Sequence, residues 1–263
     1  MSYINTLSSV QKKNIETIIV QAIKSGIINP HSIAGILAII SKETEFIPKS
    51  ENLNYSAKRL QEVFKLSPER ANQLVGKPEA IGNAVYGGKY GNALNEGYKY
   101  RGRGFNQLTF KGNYKKYGRL IGTDIVANPD MVNEVETASK VLMSYNKEQM
   151  EALRKSGKLA EYNAKDINDF KNPKDATLGF YHVTAGVGKS VDRIKALLIN
   201  DSLGGMKKAQ SRATDLYNYV ESFLKKKPNL KSKKGISIGY ITLGMFLTLG
   251  TAVIYKYRGY LQA

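Results

Sequence analysis

The sequence predicts a mainly α-helical domain followed by one apolar C-terminal helix. Apolar residues recur at helical spacing in segment after segment, period-2 strand candidates are few, and a long uncharged run stands near the C-terminus. The 263 residues carry 40 Lys and Arg against 22 Asp and Glu, a net charge of +18, with 42% hydrophobic residues. This is a globular composition with enough chain to bury a substantial core, and it excludes global disorder. The positive excess points to a polyanionic partner. With no cysteine and only two histidines, His31 and His182, disulfides, thiolate zinc sites and cysteine nucleophiles are excluded and a multi-histidine metal site is not supported. Chemistry falls to carboxylates, hydroxyls, amides and water.

Taken in order, MSYINTLSSVQKK lacks the basic start and apolar core of a secretory leader, so export by a standard leader is not expected. From Val10 to Ser25, Ile15, Ile18, Ile19, Ala22 and Ile23 fall on one helical face, and Gly26 is placed as the stop. The solid apolar run IAGILAII (33 to 40) ends in SKETEF, which predicts a buried helix delivering Glu43 to its exposed end, with Pro48 closing it. Helical patterns return in SAKRLQEVF, PDMVNEVETASKVLMSYNKEQMEALRK, DATLGFYHV and SVDRIKALL. Between Asn83 and Gly118 the chain is rich in glycine and aromatics, which predicts irregular turns and close backbone approaches, the build of a cleft wall.

All 22 acids precede position 225, while eight bases stand from Lys225 onward, so residues 1–224 carry +10 and the tail +8. The 21 residues from Gly235 to Tyr255 hold no charge, and as a helix they would measure roughly 30 Å, the thickness of a bilayer core. A transmembrane helix is therefore expected at 235–255, with Tyr240, Tyr255 and Tyr257 at the headgroup levels and the lysine-rich flank keeping the large domain on the cytoplasmic side. The expected organisation is a catalytic domain at 1–224, a basic juxtamembrane linker at 225–234 that meets anionic lipid headgroups, the span through the lipid bilayer, and a short tail at 256–263.

The aromatics of the 83–118 segment, Tyr86 and Tyr100 among them, offer flat faces for sugar rings, and its Asn and Gln side chains offer paired donors and acceptors for hydroxyl and acetamide groups. A carbohydrate cleft follows. KYRGRGF could instead stack single-stranded bases, with phosphates on Arg101 and Arg103, but the basic residues are few and the segment is not repeated, so nucleic acid is disfavoured. AGVGKS (185 to 190) lacks the first glycine of a phosphate-binding loop, because Val183 stands there.

Glu43, ENLNYSAKRL (51 to 60), VYGGKYGN (85 to 92) and GYKYRGRGFNQLTFKGNY (97 to 114), standing in this order, resemble glycoside hydrolase family 19 in its chitinase-like phage endolysin branch. The resemblance runs on through ANPDMV (127 to 132) towards VTAGVGKSVDRI (183 to 194). It implies a two-lobed, lysozyme-like helical fold and an inverting hydrolase of β-1,4 linkages between N-acetylated sugars that needs no cofactor and no metal. It puts Glu43 at the position of the general acid, with Glu45 as a rival, and Glu51 at that of the base that activates water. Thr109 would help hold that water. Gln107 and Asn113 match positions lining the sugar cleft, and Arg193 matches the family's arginine. Lys42 stands where the family often reads histidine, ETEF is one residue shorter than Glu-x-Gly-Gly-Phe, and Thr184-Ala185-Gly186 replaces Asn-Gly-Gly.

The chemistry asks for the same pair: a protonated carboxyl donates to the leaving oxygen and an ionised one deprotonates water, about 6.5 to 9.5 Å apart in inverting enzymes. Eight residues of irregular chain can span that distance. Ile39, Ile40 and Phe46 could supply the apolar wall the acid needs. The expected activity is hydrolysis of peptidoglycan glycan strands, because a +10 domain is drawn to a polyanionic wall and not to neutral chitin. With the anchor, this suggests a phage virion protein or host-membrane enzyme for wall penetration or lysis. A lytic transglycosylase, a chitinase, and a non-catalytic wall-binding virion protein are the alternatives.

Overall fold

The computed structural model describes residues 2–199 and 205–231. In chain order the described α-helices are α1 (Ser9–Lys24), α2 (Pro30–Glu43), α3 (Ala57–Phe64), α4 (Pro68–Leu74), α5 (Pro78–Tyr86), α6 (Lys111–Ile121), α7 (Val135–Lys155), α8 (Pro173–Ala185), α9 (Val191–Ile199) and α10 (Gly205–Lys226). Among the described residues β-structure is limited to an isolated antiparallel bridge between Arg103 and Leu108. The described chain divides into two units, one of residues 2–47, 135–199 and 205–231, the other of residues 48–134.

The first unit is organised around α2. Asn29 caps it by accepting the backbone N–H groups of His31 and Ser32, and Pro30 sits at the first helical position, where its missing N–H costs nothing. Every residue from Ser32 to Ser41 is buried, because α1, α8 and α10 all pack on it. The contact with α8 is so close that a Cβ at Gly35 would lie 2.8 Å from both the carbonyl carbon and the Cβ of Ala176. α1 opens on a reciprocal capping box between Ser8 and Gln11, buries Ile15, Ile18, Ile19, Ala22 and Ile23, and packs on α7. Gly26 takes φ +83 as the stop.

In the second unit α3, α4 and α5 share a small core of Leu53, Leu60, Ala71, Leu74, Ile81 and Val85. Ser56 and Ser67 cap the first two of these helices, and Pro68 and Pro78 open the latter two. α6 buries Tyr114 and Tyr117 despite its two internal glycines.

The mainly helical expectation agrees with this architecture. Helices α4, α5, α6 and α10 were not anticipated. α10 carries Met206, Ala209, Ala213, Leu216, Val220 and Phe223 at alternating spacings of three and four, a stripe whose small alanines give a weak hydrophobic signal.

The membrane-spanning helix is a correction. No described helix is long and apolar enough to cross a membrane. α2 is the most apolar but has 14 residues, about 21 Å of helix; α7 and α10 are long enough but carry seven charged residues each. Gly235 to Tyr255 lie outside the described residues, as do the last three residues of the basic linker and the whole tail. The single-pass anchor, the bilayer and headgroup partners, and the virion or host-membrane placement that rested on them are set aside.

The close α2/α8 crossing makes Gly35→Ala an overpacking change. It should cost about 1–3 kcal/mol, only partly offset by the ~1 kcal/mol gain in helix propensity, and appear as a lower urea midpoint at unchanged m value.

Candidate active site

In the second unit, Glu51 lies on a short irregular segment that three separate hydrogen bonds hold in place. Its backbone N–H donates to the Gly102 carbonyl at 2.7 Å. The Lys49 carbonyl accepts from Gln107 Nε2 at 2.9 Å. Ser50 Oγ accepts from Asn133 Nδ2 at 2.8 Å, while Asn133 Oδ1 accepts the Gly104 N–H. Gly102 packs closely under this loop: a Cβ there would lie 2.9 Å from Gln107 Oε1 and 3.4 Å from Thr109 Oγ1, so the Gln107 side chain would have to move.

Residues 103–110 form a tight hairpin that places these groups. Arg103 and Leu108 exchange both backbone hydrogen bonds. Gln107 turns through φ +51, and Phe110, just before α6, through φ +73 and ψ 134, conformations that non-glycine residues adopt only when their surroundings impose them. The Phe110 N–H donates to the Tyr100 carbonyl, and its carbonyl accepts the N–H groups of Asn113 and Tyr114. Asn92 completes the frame, accepting the Lys111 N–H and donating to the Tyr86 carbonyl. Thr109 is buried, with its hydroxyl donated to the Gln107 carbonyl at 2.9 Å. Asn113 Nδ2 donates to the Thr109 carbonyl.

Tyr86, at the end of α5, points its hydroxyl into the Glu51 carboxylate, 2.8 Å from Oε1 and 3.0 Å from Oε2. The Tyr55 hydroxyl stands 3.5 Å from Oε1. Burial, then the Glu51 charge, pushes both phenols well above the usual tyrosine range, so both remain hydroxyl donors. Glu51, Tyr86, Gln107, Thr109 and Asn113 thus form one constellation.

Tyr100 does not join it. Its ring is 1% exposed and packs edge-on against Tyr114, with its hydroxyl donated to the Val126 carbonyl. It is a core residue and presents no face to a sugar. Arg103 is likewise buried, its guanidinium divided among Asp130, the Lys99 and Arg101 carbonyls and the Tyr114 hydroxyl, and burial pushes that phenol up to about 12. Arg101 lies over the Tyr98 ring. The guanidinium groups that a nucleic-acid reading would aim at phosphates are therefore engaged within the protein.

In the first unit, Glu43 is the last residue of α2, and its side chain is 7% exposed. Lys42 Nζ stands 3.1 Å from its Oε1, with the Lys42 stem against Gly205. The turn that follows puts Glu45 and Phe46 both in the left-handed region, φ +51 and +64. Asn14 and Gln11 hold it by donating to the Phe46 and Glu45 carbonyls, and the Phe46 side chain is fully buried. Ile39 and Ile40 are buried as expected, and Glu45 is exposed.

Arg193 is exposed on the first turn of α9, which Ser190 caps. The preceding loop wraps its carbonyls around cations: Lys158 Nζ donates to Val187 and Lys189, and Lys189 Nζ to Ala185. A phosphate-binding loop would present N–H groups instead. His182 is wholly buried behind it, with Nδ1 2.9 Å from the Tyr162 hydroxyl and Nε2 3.1 Å from the Lys189 carbonyl, and burial lowers its pKa. Thr184 turns its hydroxyl back to the Phe180 carbonyl. Among the described residues no three His, Asp or Glu side chains come together as a metal site.

Tyr55, Asn92 and Asn133 were not singled out from the sequence. The first two sit inside ENLNYSAKRL and VYGGKYGN, and their signal is polar side chains in a segment with few regular backbone partners.

A family model of glycoside hydrolase family 19, described as chitinase class I, matches residues 82–148. A Haemophilus influenzae protein described as glycosyl hydrolase family 19 domain-containing is 34% identical over 137 residues, covering 49% of this chain and 68% of that protein. Chitinase 2 of Oryza sativa subsp. japonica is 51% identical over 43 residues, covering 16% of this chain and 13% of that protein.

Two consequences can be measured. Arg103→Lys cannot serve the same fork of acceptors, so it should cost at least about 2 kcal/mol of stability in urea unfolding. His182 has a folded pKa below its unfolded value, so below about pH 6.5 the unfolded chain takes up a proton that the folded chain refuses. Its contribution is complete above that pH and is lost as pH falls towards the folded pKa. Wild type should therefore lose more stability than His182→Gln between pH 7 and 5, above the range in which Glu96, Glu136, Glu151 and Asp169, all with lowered pKa, become protonated.

Proposed function

The chain belongs to glycoside hydrolase family 19, and from that premise we propose that it cleaves the β-1,4-linked N-acetylated glycan strand of peptidoglycan by direct attack of water, inverting the anomeric centre. It is a glycosidase, and its substrate is a glycan. The observation that carries the mechanism is the build around Glu51: a carboxylate on a backbone held from three sides, with hydroxyl donors at its oxygens. Such an arrangement favours the ionised form, which a general base requires.

In this mechanism Glu51 takes a proton from water as the water attacks the anomeric carbon, and Glu43 donates a proton to the leaving glycosidic oxygen. Low exposure of the Glu43 side chain favours the protonated form that a general acid needs, while the Lys42 ammonium 3.1 Å away favours the ionised one, so Lys42 must turn aside when the sugar binds. The Thr109 hydroxyl spends its proton on the Gln107 carbonyl, which leaves its oxygen to accept the second water O–H and aim a lone pair at the sugar. Gln107 and Asn113 support the loop and offer amide edges to sugar substituents, and Arg193 supplies an exposed cation. The net charge of +10 on residues 1–224 favours an anionic wall polymer over neutral chitin.

Product analysis tests the proposal, with the full chain acting on purified peptidoglycan and, in parallel, on chitin oligosaccharides. Wild type should release reducing ends of inverted configuration from peptidoglycan, and Glu43→Gln and Glu51→Gln should each lose on the order of 10²–10⁴-fold in rate. Anhydro-sugar ends, or full activity in Glu51→Gln, would instead mean a single-glutamate transglycosylase. Preference for chitin at equal salt would remove the charge argument.

A further inference from the structure

We propose that Tyr86 is a positioning residue for Glu51, holding its carboxylate through a shared hydroxyl proton, and not the sugar-stacking face that its place among aromatics suggests. The inference rests on the reading of Glu51 as the base.

Tyr86 is half-buried, and its ring and its hydroxyl are both engaged within the protein. Tyr86 closes α5, its backbone carbonyl accepts from Asn92, and its ring meets Phe110 edge-on at 5.6 Å. Phe110 is itself 2% exposed, is held in a rare backbone conformation, and meets Tyr90 on another side. The ring is thus fixed from behind while its hydroxyl reaches the carboxylate. One phenol carries one proton, and at 2.8 and 3.0 Å from the two oxygens that proton is shared along the carboxylate edge. This restrains rotation about the terminal torsion of the Glu51 side chain, the freedom a general base most needs to lose before water arrives. It also stabilises the ionised form.

Burial and the Glu51 charge keep the Tyr86 phenol protonated, so it remains a donor across the working range. The groups facing Glu51 include Tyr86 from α5 and Tyr55 from the segment before α3, with Arg59 of α3 acting on Tyr55. Tyr55, at 3.5 Å, is the weaker donor.

The sign of the effect follows. Removing a hydrogen bond to the charged form raises the pKa of the base, so the acidic limb of kcat/KM moves to higher pH and the alkaline limb, set by the acid, stays in place. Tyr86→Phe keeps the ring and all its packing. In the full chain on peptidoglycan it should move the acidic limb up by about one pH unit, lower kcat below that limb about tenfold, and leave KM unchanged. A fluorinated tyrosine at position 86, a stronger donor of the same shape, should move the limb the opposite way, which a purely structural role would not do. The Glu51 carboxyl carbon, followed by NMR titration without substrate, should shift in the same two directions.

If Glu51→Gln keeps activity, the base assignment itself fails, whatever Tyr86 does. If Glu51→Gln is inactive but the Tyr86→Phe profile superimposes on wild type, or Tyr86→Phe raises KM with no change in the limb, the base stands and the positioning role falls. Should Tyr86→Phe fail to fold, the fluorinated variant and the carboxyl titration decide alone.

Discussion

Residues 87–110 cross the second unit without a helix and with a single isolated bridge, so their backbone groups have no ladder to satisfy them. Each must find a partner singly, because an unpaired buried N–H or carbonyl costs about as much as a lost hydrogen bond. Side-chain amides and one guanidinium do the work that a sheet would otherwise do. Asn83 accepts from Tyr98, Asn92 bridges Tyr86 and Lys111, Asn133 bridges Ser50 and Gly104, and Arg103 gathers Lys99 and Arg101. The position of Glu51 depends on this frame, since its own N–H and the carbonyl two residues before it are among the groups the frame satisfies.

The frame also accounts for where the backbone is strained. Gln107 and Phe110 sit at positive φ at the two ends of the residues that bear Thr109, and Tyr90, at φ +45, touches Phe110. Each such residue costs on the order of 1–3 kcal/mol and persists only where its surroundings over-determine it. Here the strain buys orientation: the hairpin turns the Gln107 amide back to Lys49 and leaves its carbonyl to Thr109. In the first unit the same logic recurs on a smaller scale. Glu45 and Phe46 adopt left-handed conformations without glycine, held by Gln11, Asn14 and the buried Phe46 ring, just beyond the end of α2.

The two units use different physics to hold a carboxylate. Glu43 ends a helix whose position comes from apolar burial on every side, so hydrophobic packing determines where its backbone lies. Glu51 sits on irregular chain, where hydrogen bonds determine it. The proposed mechanism asks a protonated carboxyl of Glu43 and an ionised carboxylate of Glu51.

The sequence by itself determined the helical class, the α1 helix with its glycine stop, the α2 helix though not its end, which falls at Glu43 ahead of Pro48, and the family to which the motifs belong, because periodicity, glycine stops and ordered motifs are local properties. Its other local signals were weaker. Small alanines masked α10, and Gly112 and Gly118 masked α6, which forms because Tyr114 and Tyr117 are buried by the fold around them. What a particular tyrosine does was beyond local reading: Tyr86 and Tyr100 share a segment and a residue type, yet one binds a carboxylate and the other is core. An uncharged run likewise reports hydrophobicity alone, and no described helix supplies a membrane span to go with it. Only the tertiary structure decided these matters, since a side chain's role depends on which distant atoms meet its polar end, and spacing along the chain does not encode that meeting.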